Sequence, residues 1–250
     1  MNQTDIDRVQ LALNPLRNDP ALWSDAYGKF AASGIRVVSG MYEPIGEDYT
    51  SLESIHATGG LLPDATWDSN WSCIQRCLVL AQYLSIKDIS LHAGFIPPAI
   101  ESETYNKLIQ RIRRIADLIA DLVQGTLLLE TGQESADQLL AFLDVVGRDN
   151  IAINFDPANM ILYNTGDPID ALAMLMPKVR QVHIKDARYP TAPGLWGQEL
   201  PAGQGEVDWH RFMKLVRENG YAGEYIIERE AGEDRVADII TAARLLRSIH

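Results

Sequence analysis

Four segments of this chain carry an apolar run up to ionisable residues: LLLE at Glu130, INFD at Asp156, VHIKD with His183 inside it, and IIERE at Glu228. Three carboxylates and one imidazole form an oxygen-rich donor set that suits a hard or borderline divalent cation such as Mn2+, Mg2+ or Co2+, with Zn2+ also compatible. With a neutral histidine and a divalent cation bound, such a set carries a net charge of about −1. It could chelate a carbonyl and the neighbouring hydroxyl of a sugar as a Lewis acid, stabilising the enediolate left when the adjacent carbon loses a proton. A carboxylate on each side of that carbon would serve as acid and base, and Glu130 and Glu228 are suitably placed for it at their strand ends. Residues two apart on a strand face the same way, so Lys185 shares a side with His183, and Glu230 with Glu228. Lys185 and Glu230 are therefore candidates for contacts to the ligands or the substrate.

Any one strand-end charge has a plain alternative, the capping of a following loop or helix. Four in succession point to one shared site, and that requires a scaffold that collects strand ends. Seven apolar runs recur: 8–16, 35–40, 88–94, 126–132, 151–159, 179–186 and 223–230. Each is followed by a segment with helical spacing of its apolar residues, at 22–33, 69–84, 103–123, 135–147, 168–176, 208–220 and 234–249. Several runs are apolar at consecutive positions, as parallel strands covered on both faces require. Ser135 and Asp208 are N-cap candidates, and Gly34, Gly147 and Gly220 stand where a left-handed residue would end a helix. Strict strand–helix alternation without an early glycine fingerprint predicts an α/β fold of the TIM (β/α)8-barrel type, one domain over residues 1–250. In such a barrel an ionisable residue is costly except at the carboxyl ends of the strands, where the loops build the site. Only residues 1–7 precede the first run, so the first βα unit is expected to be missing or shortened.

Of the 250 residues, 46% are hydrophobic and 22% charged, which supports a full-sized core. Lys and Arg total 22 against 34 Asp and Glu, a net charge of −12 that disfavours a general nucleic-acid binder. Cys73 and Cys77 lie four apart on one helical face with no second pair for a zinc site, and read as reduced thiols. No apolar stretch approaches membrane-spanning length and the polar start lacks a signal-peptide core, so a cytoplasmic protein with no membrane partner is expected.

The series LHAG, LLLETG, FDPAN, VHIKD and IIERE, in that order and spacing, resembles the sugar phosphate isomerase/epimerase family of the xylose isomerase-like TIM barrel superfamily. The resemblance covers nearly the whole chain. It implies a metal quartet of Glu130, Asp156, His183 and Glu228, with the family's two acid/base glutamates at Glu130 and Glu228. The same scaffold hosts ketose 3-epimerases, hydroxypyruvate isomerases, inosose dehydratases and apurinic endonucleases. Asn159 is a candidate substrate contact by the resemblance, but it departs from the endonuclease and 3-epimerase patterns, which are similar in placing a histidine there, in the 3-epimerases a substrate-binding one. The loop GLWGQELPAGQGEVDW also offers no Asp-x-His pair, which argues against a trinuclear DNA-repair site. His92, in LHAG, is a substrate contact by the resemblance.

The segment 189–207 is long and rich in Gly and Pro, and as the loop after the His183 strand it is expected to cover the metal. Within it Trp196 would stack on a sugar face or fill a subunit interface, and the preceding Arg188 could pair with a phosphate. His56, in 51–70, is expected on a lid or rim loop, and His210 and His250 on the surface. Together these readings predict a divalent-metal-dependent isomerase or epimerase of a ketose or related small-molecule sugar. A dehydratase of a cyclic polyol ketone, which begins with the same proton abstraction, is the alternative enzyme. A non-catalytic sugar-binding or assembly subunit is the alternative of another class. A gap left by a missing strand would be covered by another chain, which predicts a homo-oligomer.

Overall fold

The structure, a computed structural model, describes residues 6–19, 25–97 and 102–249. Among these residues nine strands form two sheets. Strands β1 (Arg8–Ala12), β2 (Arg36–Tyr42), β3 (Asp88–Leu91), β4 (Thr126–Glu130), β5 (Ile151–Phe155) and β6 (Val179–Ile184) are neighbours in that order, and β9 (Glu224–Ile227) follows β6. The pairings β1·β2, β2·β3, β3·β4, β5·β6 and β6·β9 are parallel. This is the seven-stranded parallel sheet of a TIM-type barrel, as the alternation predicts. Strands β7 (Asp186–Arg188) and β8 (Gln198–Leu200) form a separate antiparallel pair.

The described residues gather into two compact units, one of Ile6–Leu129 and Phe142–Ala152, the other of Glu130–Ala141 and the chain from Ile153 on. The first unit holds α1 (Leu13–Asn18), α2 (Ala26–Ser33), α3 (Leu52–Thr58), α4 (Asp64–Tyr83) and α5 (Glu103–Val123). Helix α5 shows why these segments are helical. Ser102 caps it by accepting the Tyr105 N–H, and Leu108, Ile109, Ile112, Ile115, Ala116 and Ile119 recur on one buried face. Arg111 of that helix is buried too, donating to the Leu61 and Leu62 carbonyls and pairing with Asp64 at the start of α4. Its guanidinium lies 4.6 Å from the Trp67 ring and that of Arg114 3.8 Å from the Trp71 ring, which fastens α5 to α4 through cation–π contacts. Cys73 and Cys77 are buried and form no disulfide.

Leu127, Leu128 and Leu129 of β4 are consecutive and all buried, as a strand covered on both faces must be. The second unit contains β6 to β9, α7 (Pro157–Tyr163), α8 (Pro168–Leu175), α9 (Trp209–Glu218) and α10 (Arg235–Ile249), and α6 (Ala136–Val146) begins in it. Phe212 anchors its core, 5.3 Å from the Trp209 ring and 6.0 Å from that of Phe155. Ser135 and Gln138 exchange hydrogen bonds as a capping box, Asp208 caps α9, and Gly34, Gly147 and Gly220 take positive φ.

Three segments differ from expectation. The run 8–16 is a strand only to Ala12, and Leu13 opens a short helix. Segment 51–70 is α3 followed by the start of α4, not a lid loop: Ser51 accepts the Ser54 N–H and starts the helix. His56 is exposed on α3, its ring 4.5 Å from that of Phe95. Segment 189–207, expected as a loop covering the metal, carries β8, which pairs antiparallel with β7. His210 is exposed on α9, and the expectations for His250 and residues 22–24 lie outside the described residues. No helix among the described residues is long and apolar enough to cross a membrane.

Candidate metal centre

Each member of the quartet stands at the carboxyl end of a strand of the parallel sheet, and all four belong to the second unit. Glu130 is the last residue of β4 and Asp156 follows β5; His183 lies on β6 one residue before its end, and Glu228 follows β9. Asp156 has two duties. Its Oδ1 caps α7 by accepting the N–H groups of Ala158 and Asn159, with Pro157 pre-set for the first helical position. Its Oδ2 lies 3.4 Å from His183 Nδ1. Capping thus fixes one oxygen and leaves the other for the site.

His183 Nδ1 also lies 3.3 Å from Glu228 Oε2 and 3.6 Å from Glu130 Oε1. Glu130, Asp156 and His183 are buried, and the Glu228 side chain is 23% exposed, which leaves it the open side of the cluster. One potential ligand atom from each of the four falls within 4.8 Å of the others. Opposite ligands of an ion the size of Mg2+ stand about 4.2 Å apart, so the spread matches one cation with little rearrangement. Three carboxylates this close repel one another unless positive charge lies among them, and a divalent cation fits that need.

The cluster has further partners. Asn154 Nδ2 lies 2.9 Å from His183 Nε2 and donates to Glu130 Oε2 at 3.2 Å, while Asn159 Nδ2 donates to Glu130 Oε1 at 2.9 Å. Both Glu130 oxygens are therefore held by amides. Thr131 ties the ends of β4 and β5, its hydroxyl accepting the Asp156 N–H and donating to the Asp156 carbonyl. Lys185 is buried, with Nζ 2.9 Å from Glu228 Oε2, 2.5 Å from Glu230 Oε2 and 3.8 Å from Asp156 Oδ2. Burial alone would lower the Lys185 and His183 values, but the surrounding carboxylates outweigh it and hold both well above their usual range. Glu228 is held well below the carboxylate range, because Lys185 and His183 outweigh the upward push of burial.

The remaining candidates are placed differently. Asn159 faces Glu130, and Glu230 is largely exposed apart from its tie to Lys185. Trp196 is half-buried, edge-on to Tyr163 at 5.0 Å, and Arg188 is exposed at the end of β7. His92 is half-buried just past β3 in the first unit, with Glu47 among its charged neighbours. Asn154 and Thr131 escaped the reading of the sequence, although Asn154 stands two before Asp156, the same spacing that marks Lys185 and Glu230.

A family model described as xylose isomerase-like TIM barrel matches residues 29–249. The chain belongs to that family. A solved xylose isomerase domain protein from Planctomyces limnophilus is 34% identical, with a TM-score of 0.91 over 98% of this chain and 89% of the other. Among curated relatives, an inosose dehydratase of Clostridium botulinum is 22% identical over 143 residues, 51% of this chain and 48% of that protein. The L-ribulose-5-phosphate 3-epimerase UlaE of Shigella boydii is 38% identical over 63 residues, 24% of this chain and 20% of that protein. The chain thus spans half or less of the length of these two curated relatives.

Proposed function

We propose that this member of the family is a divalent-metal-dependent isomerase or epimerase of a ketose or related sugar, phosphorylated or not, that works by abstraction of an α-proton. The observation that carries the reading is the convergence of Glu130, Asp156, His183 and Glu228, the spread of whose ligand atoms suits one cation. These four would hold Mn2+, Mg2+ or Co2+, with Zn2+ also compatible, and the bound ion would polarise the substrate carbonyl and its neighbouring hydroxyl. The proton work falls to the chain's own groups. One of Glu130 and Glu228 takes the proton from the substrate carbon; the other returns one, to the opposite face of that carbon in an epimerisation or to the neighbouring position in an isomerisation. Lys185 completes the charge balance, since three ligand carboxylates equal one divalent cation plus one ammonium. Its ammonium also keeps Glu228 ionised.

The match to an inosose dehydratase favours a second reading, in which the same proton abstraction is followed by loss of a hydroxyl from the next carbon. We also propose a homo-oligomer, because β1 and β9 each pair on one side only among the described residues. The deciding experiment is calorimetric titration of metal-stripped protein with Mn2+ beside His183→Ala and Asp156→Asn. One-to-one binding in the parent, lost in both variants, is expected. Ketoses are then incubated in deuterated water: deuterium at the α-carbon without loss of water supports the isomerase or epimerase, and a dehydrated product the second reading. A parent that binds no metal overturns both.

A further inference from the structure

Arg229 sits between Glu228 and Glu230 in sequence but makes its contacts elsewhere. Its Nη1 donates to Glu199 Oε1 on β8 at 2.6 Å, and its Nε to Asp238 Oδ2 on α10 at 2.8 Å. The Arg229 and Glu199 side chains are only 8% and 7% exposed. Glu199 does more than neutralise the guanidinium. Its Oε1 also accepts the Glu230 N–H at 3.0 Å, and its Oε2 the Ala231 N–H at 3.1 Å. One carboxylate thus holds three consecutive residues, beginning directly after Glu228. Gly232, at φ +83, closes the turn, and a Cβ there would lie 2.6 Å from Arg229 Nη2. No side chain larger than hydrogen fits beside the guanidinium without displacing it.

A buried ion pair contributes little net stability unless its hydrogen-bonding capacity is used. Here that capacity is spent on the segment that bears Glu228 and its neighbour Glu230, so what the pair secures is geometry. We propose that Glu199 and Arg229 are positioning residues for Glu228 and Glu230, through which the β7–β8 hairpin sets how tightly the carboxylate cluster grips a divalent cation. The inference rests on the reading of Glu228 as a group that holds the metal. Groups that orient metal ligands typically change affinity about 10- to 100-fold when removed, and an ångström of misplacement costs about 100-fold in rate.

The test uses Glu199→Ala, Glu199→Gln and Arg229→Lys, each first shown to be folded by circular dichroism. Mn2+ affinity is measured by calorimetry, and hydrogen–deuterium exchange is followed on the metal-free proteins. Glu199→Ala is expected to weaken Mn2+ binding about 10-fold or more. It should also speed exchange of the Glu230 and Ala231 amides while residues 151–163 exchange at the parent's rate. Arg229→Lys, which keeps the charge but cannot span both Glu199 and Asp238, should weaken Mn2+ binding less than Glu199→Ala does. Should Glu199→Ala not fold, the equal-sized Glu199→Gln carries the same comparison. Parental affinity in the folded Glu199 variant overturns the inference and leaves the metal reading standing. A parent that takes up no Mn2+ overturns both, and faster exchange would then mark a purely structural tie.

Discussion

Glu130 and Glu228 are held in opposite ways: two neutral amides, from Asn154 and Asn159, grip the first, and the Lys185 ammonium grips the second. The amides orient both Glu130 oxygens, and the ammonium holds Glu228 below the carboxylate range against the upward push of burial. Glu130→Gln and Glu228→Gln should each lower turnover at least about 100-fold, with an unchanged circular dichroism spectrum. A near-parental rate in either variant would refute the acid/base assignment. Glu47, in the first unit, behaves differently: burial pushes its carboxyl above the ordinary range, only partly offset by His92 and the Gly60 N–H. A raised carboxyl favours the neutral form in the fold. The cost of its charge is therefore absent below the ordinary value and sets in as pH rises through the raised one. Glu47→Gln should accordingly raise the thermal midpoint at neutral pH, with the gain disappearing toward about pH 4; a gain that does not vary with pH would contradict this account. Strand-end charges were legible in the sequence because a carboxylate closing an apolar run is costly unless it has work to do. Asn154 was not, because a neutral amide inside a strand carries no such cost signal once it is hydrogen-bonded.

At the scale of elements, the least legible part was 189–207, expected as a long loop over the metal, where β8 pairs with β7 instead. Asp186 explains the order found there. Its buried carboxylate accepts N–H groups from Ala187 at 2.9 Å, Gly203 at 2.8 Å and Val207 at 3.1 Å, and the Trp209 indole N–H at 2.9 Å. Gly205 passes so close that a Cβ would lie 2.1 Å from Asp186 Oδ1. One side chain thus folds the hairpin back and seats the start of α9. In the sequence Asp186 reads as one more strand-end acid beside Lys185, since nothing local shows that its partners lie about twenty residues onward. Asp186→Ala leaves these donors without their acceptor and should cost at least about 1–3 kcal/mol of unfolding free energy in urea denaturation. Asp186→Asn, which keeps one acceptor oxygen, should cost less; losses equal to those of the alanine variant would mean that the oxygen retained by asparagine contributes nothing. The helix ends were more legible, because Ser135, Asp208 and the three left-handed glycines act through bonds to residues three or four away.

For the whole molecule, the alternation of apolar runs with helical segments was enough to reach the barrel class, because consecutive buried positions such as Leu127–Leu129 suit a covered parallel strand. The substrate was not legible, because one fold hosts many different reactions and substrates. What the element pattern does address is association. Val9 and Leu11 on β1 are only half-buried, as are Tyr225 and Ile227 on β9. On α10, Ile239, Ile240, Leu245 and Leu246 are half-buried as well, and Val236 is 57% exposed. Strands at the ends of a sheet, with partly covered apolar side chains, are open to association, and barrels normally remove such edges by closing. A second copy of the chain is the simplest cover, since both edges are then present at equal concentration and a two-fold arrangement satisfies each with its own counterpart. Sedimentation equilibrium should therefore give a mass that is a multiple of the single chain across a dilution series. Charged substitution at an edge, Val9→Lys or Leu11→Lys, should shift it toward the monomer. A single-chain mass at every concentration, unchanged by those substitutions, would mean that the edges are tolerated in a monomer and that the homo-oligomer proposal fails.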